Sequence, residues 1–108
     1  MDDIFYLTEK NVTITDIAET AKESDVINVF VPLSENVLQI EYEKNVYAEW
    51  SCMKIEDFSE TEDKIFLERN KIKSVFCISY HMNNLNLMLP HIKILLQKYG
   101  GFLTEKSP

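Results

Sequence analysis

The stretch VLQIEYEKNVYAEWSC, residues 37–52, decides the fold. From Val37 to Glu43 a two-residue period sets Leu38, Ile40 and Tyr42 on one face and Val37, Gln39, Glu41 and Glu43 on the other. From Val46 to Cys52 the same period sets Val46, Ala48, Trp50 and Cys52 against Tyr47, Glu49 and Ser51. Two half-buried strands this close in sequence form a hairpin, and its turn decides which faces coincide. A two-residue loop at Lys44-Asn45 pairs Ile40 with Glu49 and mixes apolar with acidic side chains. A three-residue loop, Glu43-Lys44-Asn45, pairs Tyr42 with Val46, Ile40 with Ala48 and Leu38 with Trp50, provided Asn45 takes the left-handed conformation that Asn tolerates. This register is expected. It buries the apolar set and turns Gln39, Glu41, Tyr47 and Glu49 outward.

Towards the N-terminus, Val26 to Leu33 is β-branched and aromatic and reads as a strand ending near Pro32, which a central strand does not accept. Ile4 to Thr8 reads as a short strand. Thr13 with Asp16 makes a capping-box start for a helix that carries Ile14, Ile17, Ala18 and Ala21 on one side and Glu19, Lys22 and Glu23 on the other.

Towards the C-terminus, Lys54 to Lys73 is charged and fits two structures. Ser59 with Glu62 suits a short capped helix, whereas Ile65 and Leu67 alternate as in an edge strand. Ser74 to His81 is a further strand, Asn83-Asn84 leads into a second helix that stops at Gly100-Gly101, and Phe102 to Thr104 is a last short strand. The order β-α-β-β-β-(variable)-β-α-β implies an α+β fold: an antiparallel or mixed sheet of about 5–6 strands with two helices on one face.

The chain has 108 residues, 45% hydrophobic and 27% charged, a balance suited to a single domain over 1–108 with one core. Its 18 acidic and 11 basic residues give a formal charge of −7, which repels a phosphate backbone and an anionic membrane surface. Neither nucleic acid nor membrane is an expected partner. The most apolar run, Leu85 to Leu96, is broken by Asn86, Pro90, His91 and Lys93 and falls short of a span. The opening Met1, Asp2 and Asp3 lacks the basic, then apolar, pattern of a signal peptide. Cys52 and Cys77 are expected as reduced, buried thiols, and the expected location is cytoplasmic.

Most catalytic chemistries lack their residues. Cys52, Cys77, His81 and His91 form no metal-ligand spacing, and no metal or cofactor is expected. Asp57, Ser59, Thr61 and Glu68 fall on calcium-loop positions, but Glu62 stands where that loop needs Gly. Cys77 and His81 lie four residues apart on one strand, about 13 Å, too far for a nucleophile and its base. With 2 glycines in the chain, no phosphate-cradling loop is present. No catalytic residue is assigned.

Two surface features remain as candidate partner-binding sites. The outer face of the hairpin carries Tyr47 among Glu41, Glu43 and Glu49, aromatic area within acidic charge, which suits a basic protein partner. On the second helix, Leu85, Met88, Leu89, Ile92, Leu95, Leu96 and Tyr99 form the core stripe. Leu87 and Ile94 project opposite, with His91 beside them, as a ridge for a homodimer or a covering loop.

The segments Ile78-Ser-Tyr-His, Leu89-Pro90, Ile92-Lys93, Leu95-Leu96 and Tyr99-Gly100-Gly101, with Leu85, resemble a pattern of small uncharacterised bacterial proteins, some similar to toxin-immunity proteins. The resemblance covers about a quarter of the chain, implies a bacterial cytosolic α+β protein and transfers no catalytic residue. The expected function is a non-enzymatic protein-binding module, an immunity or antitoxin-like protein that neutralises a basic partner. The alternatives are a small enzyme or ligand-binding domain, with its pocket between the sheet and residues 54–73, and a structural or accessory homodimer.

Overall fold

The computed structural model describes residues 2–30, 36–54, 58, 61–81 and 84–105. Strands β3 (Val37–Glu43) and β4 (Val46–Met53) form the hairpin, with Leu38 opposite Trp50 and Ile40 opposite Ala48. Asn45 is left-handed at φ 65°. The register fails in one place. From Glu41 opposite Tyr47 the ladder steps to Glu43 opposite Val46, so the expected Tyr42–Val46 pair is replaced by a bulge at Tyr42. The bulge reconciles the two possible loops: Glu43 and Val46 close the turn, and the extra residue restores the inward set. Leu38, Ile40, Tyr42, Ala48 and Trp50 are all buried.

Strands β1 (Asp2–Thr8), β2 (Asn28–Phe30), β5 (Ser74–Tyr80) and β6 (Phe102–Thr104) complete a six-stranded sheet of order β2-β3-β4-β5-β1-β6. Every neighbouring pair is antiparallel, although only β3 and β4 are joined by a tight turn. The end of β2 near Pro32 lies outside the described residues.

Helices α1 (Ile14–Glu23) and α3 (Leu85–Tyr99) cover one face. Ile17, Ala21, Met88, Ile92 and Leu95 pack there on Ile4, Tyr6, Leu38, Ile40, Trp50, Phe76 and Ile78. The capping box forms: the Thr13 hydroxyl accepts from the Asp16 N–H at 3.2 Å and the Asp16 carboxylate from the Thr13 N–H at 2.9 Å. At the far end of α3 the Tyr6 and Thr8 hydroxyls donate to the carbonyls of Gly100 (2.8 Å) and Tyr99 (2.7 Å), satisfying groups a helix leaves unpaired. Gly101, at φ 88°, then turns the chain back so closely along β1 that a Cβ there would collide with the Leu7 carbonyl oxygen.

The charged segment contains a third helix, α2 (Thr61–Arg69), and it covers the opposite face. Leu67, Phe58 and Ile72 pack there on Leu7 and Val75. An edge strand would turn Ile65 and Leu67 the same way, yet Leu67 is buried and Ile65 exposed. Glu62 and Asp63 in the first turn and Arg69 in the last suit the helix dipole. The suggested cap Ser59 and the turn residue Asn83 lie outside the described residues. None of the helices among the described residues is long and apolar enough to cross a membrane.

Candidate functional site

Helix α2 packs over β1 and β5, on the outer face of the sheet, near their Thr8 and Ser74 ends. Cross-strand pairs project the same way, so the outer face can be followed across the rest of the sheet. One row runs Phe30, Gln39, Glu49, Ser79, Asp3 and a second Asn28, Glu41, Tyr47. The first row brings carboxylate-bearing residues of β4 and β1 to backbone positions about 10 Å apart at ~4.8 Å per strand. Between them Ser79 donates to Asp3 at 2.7 Å. Phe30 and Tyr47 are exposed, at 41% and 38%.

Glu41 is the fixed point of this face. Its carboxylate accepts the Asn45 N–H at 3.1 Å, tying it to the turn. It also accepts the Tyr47 hydroxyl, a bond that raises the phenol's pKa and keeps its proton in place. Ring and carboxylate are therefore held side by side without being buried. Glu49 and Glu43 are exposed, Glu43 at the turn.

The six expected partner residues divide between two surfaces. Glu41, Glu43, Tyr47 and Glu49 share the hairpin. Leu87 and Ile94 belong to α3, across the sheet; Leu87 is exposed at 36% and Ile94 half-buried. They do not form one contact area. His91, expected beside them, is fully buried. Its spacing from Met88 and Leu95 puts it on their side of the helix, a periodic signal the sequence already carried.

The thiols also differ from expectation, being half-buried rather than buried. Cys52 packs against the main core, and Cys77 is on the outer face beside Ser51 and Phe5. Partial burial, then the nearby Asp3 and Glu49 charges, push the Cys77 thiol pKa up and leave it a poor nucleophile. Both ring nitrogens of His91 are already engaged, so it has no free base to offer Cys52.

Among the described residues no three His, Cys, Asp or Glu side chains are grouped to hold a metal ion. The calcium-like positions Thr61, Glu62 and Glu68 fall within α2, a helix in place of a loop, and Asp57 and Ser59 lie outside the described residues. The described residues line open grooves. One of about 390 Å³ is lined by Asn11, Met53, Lys54 and Lys73, one of about 350 Å³ by Lys10, Asn70, Ile72 and Phe102, and one of about 220 Å³ by Asp2, Asp3, Tyr80 and Glu105. The first two flank the segment that carries α2. Comparison of the chain with protein-family models, curated proteins and solved structures finds no match.

Proposed function

We propose that this chain is a non-enzymatic protein-binding module that docks a basic partner on the outer face of β2, β3 and β4, in the manner of an immunity or antitoxin-like protein. One observation carries it: among the described residues, Tyr47 and Phe30 stand exposed beside Glu41 and Glu49 on a stretch of sheet outside the footprint of α2. An aromatic ring held against a fixed carboxylate offers stacking and charge to an arginine or lysine together. The overall charge of −7 would draw a basic protein into encounter. A second copy suits this face poorly, because a twofold contact here would bring Glu41, Glu43 and Glu49 against their own counterparts. A cytoplasmic site in a bacterial cell accompanies this reading.

The test compares wild type with a Glu41→Lys/Glu49→Lys variant, both shown to be folded by circular dichroism, as baits in lysate at low and high salt. A basic protein retained by wild type, lost at high salt and lost with the variant supports the proposal. Identical captured sets from both baits reject it. A small molecule that protects the folded chain equally in both variants favours a ligand-binding domain using one of the grooves.

A further inference from the structure

We propose that His91 is a proton-operated latch, whose protonation releases α3 from α1 and from the inner side of the β3–β4 hairpin. The fully buried imidazole is where these elements are joined by polar bonds. Its Nδ1 lies 2.8 Å from the Tyr42 hydroxyl on β3, and its Nε2 lies 3.0 Å from the Thr20 hydroxyl on α1. The Trp50 indole on β4 donates to the same Tyr42 oxygen at 3.0 Å, and the Trp50 and His91 rings are 5.0 Å apart.

Only one arrangement of protons satisfies every member. Trp50 can only donate, so the Tyr42 oxygen accepts its proton and gives its own to Nδ1. The neutral ring then carries its proton on Nε2 and donates to Thr20, whose hydroxyl donates to the Ile17 carbonyl at 2.9 Å or the Asp16 carbonyl at 3.0 Å. A second proton on the imidazole removes the acceptor of the Tyr42 hydroxyl and puts an unpaired cation in the core.

The groups facing the ring offer no counter-charge. Tyr42 is the one titratable group bonded to it, and burial holds the phenol protonated by raising its pKa. On α1, the Asp16 carboxylate is committed to the Thr13 N–H, Glu19 is exposed, and Glu23 pairs with Lys98 of α3 at the surface. Lys93 on α3 is exposed. Desolvation lowers the pKa of His91 from 6.5 to about 4, outweighing the opposite effect of a hydrogen bond to the Ile17 backbone. The unfolded chain thus takes up the proton first: stability is full above pH 6.5 and falls as pH drops towards 4.

The test is urea unfolding of wild type and His91→Gln from pH 7.5 to 4, with the ring followed by NMR. Gln keeps a donor and an acceptor but does not titrate. In wild type the unfolding constant should rise about a hundredfold more between pH 7 and 4 than in His91→Gln. The ring should show the Nε2–H tautomer, with amides of α3 and Thr20 losing exchange protection in acid before those of β1 and β5. If His91→Gln fails to fold, the wild-type NMR titration decides alone. An imidazole titrating near 6.5 in the folded chain, or equal pH slopes for the two proteins, overturns the latch.

Discussion

The Trp50 indole donates to the Tyr42 hydroxyl at 3.0 Å, although the two residues are on adjacent strands and eight positions apart in sequence. The bulge makes this possible. With Tyr42 as the extra residue, its side chain is free of a direct partner across the ladder, and its hydroxyl reaches both the Trp50 indole and the His91 ring. The same bulge keeps Glu41 and Tyr47 together outside, so one irregularity shapes both the core and the candidate docking face.

Truncating Trp50 should therefore remove a large buried ring as well as a hydrogen bond. Trp50→Ala is expected to cost about 3–5 kcal/mol in chemical denaturation. Tyr42→Phe keeps the ring but strands the Trp50 N–H, with an expected cost of about 1–3 kcal/mol. A Tyr42→Phe variant as stable as wild type would show that the buried hydrogen bonds contribute nothing net.

Helix α2 is attached through Leu67, its one buried residue among those described. Leu67→Ala should cost about 2–5 kcal/mol if α2 unfolds with the rest, while Ile65→Glu, at an exposed position, should change stability by less than about 0.5 kcal/mol. Hydrogen exchange separates a further outcome. If α2 opens on its own, its amides should exchange well before those of α1, and Leu67→Ala should speed that opening without shifting the global midpoint.

The two adjacent glycines are expected to respond unequally. A Cβ on Gly100 meets open space, but φ 65° with ψ −150° is a region that L residues avoid, so Gly100→Ala should cost about 1–3 kcal/mol. Gly101→Ala adds a collision with the Leu7 backbone, which cannot yield unless β6 leaves β1. Thermal melts should rank Gly101→Ala clearly below Gly100→Ala. The opposite order would mean that β6 contributes little to the sheet.

Local patterns in the sequence determined the elements. The alternation from Val37 to Cys52 sets the inward and outward sides of the hairpin, the Thr13–Asp16 spacing starts α1, and Gly100-Gly101 ends α3. These features rest on periodicity, capping and backbone freedom, which neighbouring residues settle among themselves. Tertiary structure decided what depends on partners distant in the chain. Thr61–Arg69 is helical because burying Leu67 against Leu7 and Val75 outweighs a weak local preference. The side of α3 that carries His91 was legible in its spacing, but an imidazole can be buried there because Thr20, 71 residues away, and Tyr42, 49 residues away, supply its two bonds. Glu41 and Tyr47 were legible as neighbours from the hairpin alone. The extension of their face to Phe30, Ser79 and Asp3 was not, because strand order brings together segments that no local pattern connects.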